Sequence, residues 1–185
     1  FPGYVQLVIV IDSMEPRPIP LECTVEHLRT VSREHFDLGK KLSSGQSPVY
    51  TYDEVFEKTQ KNRLWPLSKE ATEDLLERAI TPYKTGFRFI ADQRLKYPMR
   101  PVLTFEQEKQ ILESVTVPVL FILTKNNMKR YETHLKQVYE YNSLKKDREI
   151  IVVDGDHAVH QNFPERVSSL INKKLFEYEM MKCEV

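Results

Sequence analysis

A short apolar strand that runs into a histidine-bearing turn is the feature that most constrains this chain. Residues 149–153 (EIIVV) are rich in β-branched side chains, and the polar turn that follows them (DGDH) ends at His157. Seven residues later, Pro164 opens an amphipathic segment, and proline is favoured at the first position of a helix. Because function in an open parallel sheet lies at the carboxyl ends of the strands, His157 is predicted to stand where a general base acts.

Apolar strands alternate with amphipathic segments at both ends of the chain, which is typical of a parallel α/β sheet. Residues 4–11 (YVQLVIVI) and 117–123 (VPVLFIL) are nearly continuous apolar runs and are predicted to be buried strands. A helix over residues 128–144 is predicted between the second and third strands. A closing helix is predicted from residue 164 to about residue 179.

A largely helical insertion of roughly 80 to 90 residues separates the first two strands and is far longer than an ordinary connection. Its predicted helices are residues 24–42, 51–61 and 68–80, and residues 81–101 are predicted to be irregular. A capping box at Thr51 and Glu54 predicts the start of the second helix, and Ser68 is predicted to cap the third. After the insertion, a second capping box at Thr104 and Gln107 predicts a helix to residue 115. An insertion of this size is expected to form a cap or lid. The predicted division is a core strand at residues 1–12, a helical cap at 13–102 and a C-terminal α/β core at 103–185.

Charge and cysteine content argue against several classes of function. The 27 basic and 27 acidic residues cancel, so the chain lacks the positive charge expected of a nucleic-acid partner. The only cysteines, Cys23 and Cys183, form no disulfide framework, which favours a reducing compartment. No apolar run approaches the roughly 20 residues that span a bilayer. We predict a cytoplasmic protein, with a peroxisomal or vesicle-associated location as the alternative.

Three segments resemble the C-terminal half of an α/β-hydrolase. Residues 153–157 (VDGDH), with the Pro-Glu pair at 164–165, are similar to the family's closing histidine motif. Residues 116–122 (TVPVLFI) are similar to its penultimate core strand. Residues 78–80 (RAI) and 92–96 (DQRLK) resemble the cap of the serine hydrolase-like (Kraken-like) group. The resemblance covers nearly the whole chain and implies the C-terminal part of an α/β-hydrolase with a mainly helical cap insertion.

The resemblance also implies an activity, namely hydrolysis of a carboxylic ester or related acyl bond, without metal or organic cofactor. His157 would be the general base for a serine nucleophile. The chain contains no Gly-x-Ser-x-Gly and begins with Phe1 rather than Met, and residues 1–5 resemble the turn after the nucleophile helix. The expected partners are therefore a small hydrophobic ester-type substrate and a missing N-terminal half of the same fold. Alone, the chain is expected not to hydrolyse a substrate.

The acidic partner of His157 has more than one candidate. The family commonly places this acid after the penultimate strand, where the chain has Asn127, which cannot stabilise an imidazolium by charge. Some relatives place it after the preceding strand, where Asp12 stands, and Glu15 is a second candidate. The alternative for Asp12 is a simple turn residue. His160 is expected to pack at the start of the last helix.

Two other functional interpretations of polar clusters are weaker. Asp154, Asp156, His157 and His160 offer metal ligands, but the histidines are three residues apart on a loop rather than four apart on a helix. The arginine- and aromatic-rich residues 87–94 are too short and too isolated for nucleic-acid readout, and contacts within a cap are expected instead. Aromatic candidates for an apolar substrate pocket are Trp65, Phe87 and Phe89.

A non-catalytic role is the alternative to the hydrolase. A small parallel sheet leaves an open apolar edge, which is a surface for self-association or for binding another chain. A nucleotide-binding domain is disfavoured because its first strand needs a glycine-rich turn, whereas residues 12–16 (DSMEP) contain no glycine.

Overall fold

The computed structural model describes residues 3–14, 19–43, 48–92, 95, 101–133 and 135–183, with the backbone alone for residues 181–183. The chain forms two compact units. The first comprises Phe1–Pro18 and Leu103–Val185, and the second comprises Ile19–Val102.

Thirteen helices and strands make up the described part of the chain. In chain order they are β1 (Val8–Ile11), α1 (Thr24–Ser43), α2 (Tyr52–Lys61), α3 (Lys69–Ala79), β2 (Ile80–Tyr83), β3 (Gly86–Phe89), α4 (Phe105–Glu113), β4 (Val119–Thr124), α5 (Lys125–Thr133), α6 (Lys136–Ser143), β5 (Arg148–Val153), α7 (Val159–Asn162) and α8 (Glu165–Cys183). A single 3₁₀ turn, Leu21–Cys23, precedes α1.

A parallel sheet of order β1-β4-β5 is the centre of the first unit. Val8 pairs with Val119 and Val119 with Arg148, so the three strands end at one edge of the sheet. This confirms the three predicted strands and the α/β fold class. The first strand is shorter than predicted, because Tyr4 and Val5 are 85% and 52% exposed and contribute little apolar burial.

Alternation along β4 divides the core of the first unit into two layers, as expected for side chains that point to opposite faces. On one face, Val119, Phe121 and Leu123 pack with Met14 and with residues of α4, α5 and α6. On the other face, Leu120 and Ile122 pack with residues of α7 and α8. All six residues of β4 are buried. Burial on both faces explains why this strand has a continuous apolar sequence.

The prediction of one helix over residues 128–144 was wrong, since two helices occupy this region. Leu135, between α5 and α6, has φ −115° and ψ 23°, which departs from helical geometry. Its side chain is nevertheless buried in the same cluster as Tyr131 and Val138. The apolar spacing predicts which residues face the core, but it does not reveal that the backbone changes direction at Leu135.

A buried arginine connects three elements of the first unit. Arg148, at the start of β5, donates to the side-chain oxygen of Asn142 on α6 and to the carbonyl of Leu112 on α4, the latter at 2.6 Å. Asn142 in turn donates to the carbonyl of Val138 at 2.7 Å. These contacts supply polar partners to groups that would otherwise lie in the core without them.

The second unit is mainly helical and also contains an antiparallel hairpin. The predicted capping box at Thr51 and Glu54 and the N-cap at Ser68 are confirmed. By contrast, part of the region predicted to be irregular forms strands β2 and β3, with Ile80 paired to Phe89. Lys84 has φ +51°, so the tight turn carries a non-glycine residue in the left-handed region.

Aromatic side chains pack around this hairpin. The ring of Tyr50 meets that of Phe89, and Tyr52 meets Phe87, each pair at 5.9 Å with an edge-on geometry. The Arg88 guanidinium lies 3.2 Å from the ring centre of Tyr83. Phe87 and Phe89, two of the aromatic residues predicted to line a pocket, therefore make contacts within the second unit. Arg88 also makes its contact there.

We expect Gly86→Ala to destabilise the second unit by about 1 to 3 kcal/mol, the usual range for overpacking. A Cβ at Gly86 would collide with the backbone carbonyl oxygen of Tyr50, which pairs with Phe87. Trp65 is the sole tryptophan and lies in this unit, so its fluorescence during urea unfolding reports the change. Gly39→Ala is the matched control, because a Cβ there meets nothing within 4 Å and alanine favours the α1 helix. Equal stabilities of the two variants would contradict the expectation.

Several residues used in the sequence analysis lie outside the described part of the chain, namely Phe1, Pro2, Glu15, Gln93, Arg94 and Lys96. Among the helices that the structure describes, none combines the length and apolar character needed to cross a membrane.

Candidate active site

The carboxylate of Asp12 is the centre of a hydrogen-bonded cluster at the carboxyl edge of the sheet. Asp12 directly follows β1, and its backbone N–H donates to the carbonyl of Ile122 at 2.7 Å. Its φ of +50° lies in the left-handed region, which aspartate tolerates better than most residues. This conformation ends the strand while the side chain is completely buried.

Four donors surround this carboxylate. Oδ1 accepts from the backbone N–H of Thr124 at 2.8 Å and from its hydroxyl at 2.7 Å. Oδ2 accepts from the side-chain amide of Asn127 at 2.9 Å and lies 2.9 Å from Nδ1 of His157. A carboxylate offers about four lone-pair sites, so this buried charge is fully hydrogen-bonded.

His157 reaches Asp12 from the loop that follows β5. Asp156 shapes this loop, because its side chain accepts from the backbone N–H of Ala158 at 2.9 Å. Gly155 has φ +135°, where a side chain is strained, and a Cβ would lie 3.1 Å from a methyl of Val159. The His157 side chain is 41% exposed while its Asp12 partner is buried, so the imidazole connects a buried charge to an accessible surface.

Contacts with the start of α5 fasten the histidine loop. The Lys125 ammonium lies 2.6 Å from Oδ1 of Asp154, and the backbone N–H of Asn126 donates to the carbonyl of Gly155 at 3.3 Å. From the other side, Arg166 on α8 donates to the carbonyl of Asp154 at 2.8 Å. The hydrogen bond from Lys125 holds the pKa of Asp154 below its usual value, and its positive charge adds to this effect.

We expect Lys125→Ala to raise the pKa of Asp154 back toward its ordinary value, as measured by NMR titration of the carboxyl carbon. Since the pKa in the folded state is lowered, the ion pair stabilises the fold above the ordinary aspartate pKa of about 3.9 and is lost as the pH falls through the folded-state value. Both groups are exposed, so the effect on global stability is small. Lys129→Ala on the same helix is the control. Identical titrations in the two variants would disprove the role of Lys125.

The geometry defines which nitrogen of His157 is basic. An ionised carboxylate only accepts hydrogen bonds, so the proton of the neutral ring stands on Nδ1 when it contacts Asp12. Nε2 is then the unprotonated nitrogen. A buried carboxylate behind Nδ1 also stabilises the positive charge that the ring gains when Nε2 takes a proton. This arrangement suits proton transfer at Nε2.

The structure brings together the two predicted site residues, His157 and Asp12, although they are 145 positions apart in the chain. Asn127, which stands where the family commonly has its acid, is half-buried. Its side-chain amide donates to Oδ2 of Asp12, the same oxygen that contacts His157. Thr124 was missed by the sequence analysis. A hydroxyl residue at the end of a buried strand is the signal that could have identified it.

The remaining candidates from the sequence are His160 and Glu15. His160 lies exposed on α7, and Glu15 is outside the described residues. In the part of the chain that the structure describes, no group of three or more histidine, cysteine or acidic side chains is arranged to hold a metal ion.

Known proteins from two organisms are similar in sequence to this chain. No family model matches the chain. A "Serine hydrolase-like protein" of Danio rerio is 26% identical over 175 residues, which are 92% of this chain and 53% of the relative. "Serine hydrolase-like protein 2" of Homo sapiens is 25% identical over 197 residues, covering all of this chain and 62% of the relative.

The chain resembles the serine hydrolase-like group of the α/β-hydrolases. The resemblance predicted from the histidine turn, the penultimate strand and the cap segment is therefore confirmed. The chain spans between one half and two thirds of the length of these serine hydrolase-like relatives.

Solved structures confirm the fold. A hypothetical protein from Pseudomonas aeruginosa PAO1 matches with a TM-score of 0.69 and 22% identity, covering 94% of this chain and 58% of that chain. A thioesterase domain from the curacin biosynthetic pathway matches with a TM-score of 0.65 and 20% identity, covering 93% and 59%. Because the sequence identities are low, these two matches support the α/β fold and nothing beyond it.

Proposed function

We propose that this chain is the histidine- and acid-bearing part of a serine-type α/β-hydrolase that cleaves carboxylic ester or related acyl bonds. The observation that carries the proposal is the 2.9 Å contact between Nδ1 of His157 and the buried Oδ2 of Asp12 at the carboxyl edge of the sheet. An imidazole that is paired with a buried carboxylate and whose side chain is 41% exposed suits nucleophilic catalysis through a serine.

In the proposed reaction, a serine outside this chain attacks the acyl carbon of the substrate while Nε2 of His157 removes its proton. The imidazolium formed is stabilised by Asp12 and gives the proton to the departing alcohol, leaving an acyl-serine. Water then attacks this acyl group, and Nε2 takes a proton from the water and returns it to the serine oxygen as the acid leaves. No metal or organic cofactor is required for these steps.

The second unit is proposed to be the helical cap of this hydrolase. Its aromatic side chains Trp65, Phe87 and Phe89 are proposed to give it a preference for small hydrophobic substrates of the ester type. The proposed location is cytoplasmic, consistent with the low cysteine content. The serine and the oxyanion donors are assigned to the portion of the serine hydrolase-like relatives that this chain does not match.

Sequencing the transcript upstream of the Phe1 codon tests the proposal. The proposal expects the reading frame to continue into a Gly-x-Ser-x-Gly between a strand and a helix, and the longer protein to hydrolyse simple esters. An in-frame stop codon with translation starting near Phe1 would overturn it.

A non-catalytic interaction module is the second candidate function, and one observation favours it. Within the described residues β1 pairs with β4 alone, so its other edge is open. Its four residues, Val8–Ile11, are apolar and pack partly into the cores on both faces of the sheet. Such an edge is suited to adding a strand from a second copy or from another chain. The stop codon described above would favour this candidate.

A further inference from the structure

We infer that Asn127 is a positioning residue, which fixes the carboxylate of Asp12 so that Oδ2 points at His157. The inference rests on the proposed function and deepens it. The α/β-hydrolase family commonly has its catalytic acid at the position of Asn127. Here Asn127 is assigned the task of orienting an acid that lies elsewhere, namely Asp12.

The two oxygens of Asp12 are held by different partners. Thr124 fixes Oδ1 through two donors on one residue, at 2.8 and 2.7 Å. These bonds define where Oδ1 lies but leave the direction of Oδ2 to other contacts. Oδ2 contacts Nδ1 of His157 and also accepts a hydrogen bond from the Asn127 amide at 2.9 Å. Asn127 thus supplies the second point that orients the carboxylate group toward the imidazole.

The chemistry of the Asn127 side chain suits this task. Its amide nitrogen is a neutral donor, so it binds an ionised carboxylate without adding charge. A carboxylate at position 127 would face Oδ2 of Asp12 at a similar distance, and two such groups cannot both ionise easily. With Asp12 directly after β1 as the proposed acid, a neutral donor at position 127 is the compatible choice.

The backbone around Asn127 supports a fixed position for its side chain. It lies in the first turn of α5, directly after β4, and its neighbour Asn126 donates a backbone N–H to Gly155 of the histidine loop. The same helical turn therefore contacts both the acid and the loop that carries His157. Small movements at this turn would alter the distance between the paired groups, and misplacement of about 1 Å costs an enzyme about 100-fold.

Nitrogen-15 NMR of the histidine rings in this chain tests the inference without requiring turnover. His157 is assigned from the spectrum of His157→Ala. In the wild type, at a pH where the ring is neutral, we expect Nδ1 to carry the proton. In Asn127→Ala, we expect a mixture of Nδ1- and Nε2-protonated rings. Asn126→Ala is the matched control, because that exposed side chain is removed while its backbone bond to Gly155 remains.

In the longer, active protein, Asn127→Ala is expected to lower kcat by about 10- to 100-fold with KM nearly unchanged, while Asn126→Ala keeps wild-type kcat. If Asn127→Ala does not fold, Asn127→Ser serves in both experiments, since its shorter donor cannot span the same distance. If the Asn127 variant has the same ring protonation and the same kcat as the wild type, the inference about Asn127 is wrong, while the proposed function stands. A wild-type spectrum without preference for Nδ1 would instead refute the Asp12–His157 pair and with it the proposed function.

Discussion

His157→Ala, introduced into the proposed longer protein that supplies the nucleophile, is expected to lower kcat for ester hydrolysis by about 10³- to 10⁶-fold, as removal of the base does in established serine hydrolases. The reason is that Nε2 is the only group assigned to move the proton in both half-reactions. Without it, the serine attacks as a neutral hydroxyl and the alcohol departs without a proton. Initial rates with a chromogenic short-chain ester measure the effect.

His160→Ala is the matched control for this prediction. His160 is three residues further along the chain, exposed on α7, and has no assigned role in proton transfer. Its variant is expected to retain nearly full activity. Comparable losses in the two variants would show that the loop as a whole, rather than the imidazole of His157, supports the reaction.

Asp12→Ala is expected to destabilise the first unit by about 3 to 5 kcal/mol, the range found when one partner of a buried charged network is removed. The substitution leaves the Thr124 N–H, the Thr124 hydroxyl and the Asn127 amide facing a cavity. It also places alanine at φ +50°, which costs further strain. Hydrogen exchange of the β4 amides in this chain reports the loss directly for the first unit.

Asp12→Asn removes the negative charge of the side chain while keeping nearly the same size and shape. Asparagine tolerates the left-handed conformation and its oxygen can accept from Thr124, but its amide then meets two other donors, on Asn127 and His157. In the longer protein we expect activity to fall by about 10⁴-fold, because the ring of His157 loses its preferred protonation on Nδ1.

The exposed carboxylate of Asp147 in the same unit provides the control for both Asp12 variants, and Asp147→Asn should leave stability and activity nearly unchanged. An Asp12→Asn protein with wild-type activity would rule out Asp12 as the acid. An Asp12→Ala protein as stable as the wild type would contradict the hydrogen-bonded cluster itself.

Local signals in the sequence predicted the parts of the fold that depend on neighbouring residues. The apolar run at residues 117–123 predicted a strand because a strand buried on both faces has a continuous apolar sequence, and the observed strand is Val119–Thr124. The capping boxes at Thr51 and Thr104 predicted helix starts because their side chains bond the backbone three residues away. His157 was predicted because a strand, a turn and a helix follow one another around it.

Other features depend on contacts that no local pattern reveals. The bond between Asn127 and Asp12 joins residues 115 positions apart, so the sequence showed only that an expected acid was missing. The break at Leu135 keeps the helical spacing of buried residues, and the hairpin at β2 and β3 contains Pro82, which argues against a strand interior. In each case tertiary contacts outweighed local propensity.

The position of the acid follows from the order of the strands. Because β1 and β4 are neighbours with Ile11 opposite Ile122, Asp12 leaves the sheet beside Thr124, the last residue of β4. The loop after β5 lies on the other side of β4, and His157 reaches over the end of that strand to Asp12. A carboxylate directly after β1 is therefore within reach of the same imidazole as a residue at the end of β4.

The most direct test of the account is the reaction of the longer protein with a fluorophosphonate, a reagent that captures activated serines, followed by peptide mass spectrometry. We expect labelling of one serine that lies outside the present chain, at a rate at least about 10³-fold lower in His157→Ala. A label that forms equally fast in the wild type and in His157→Ala would contradict it, as would a wild-type protein with no labelled serine.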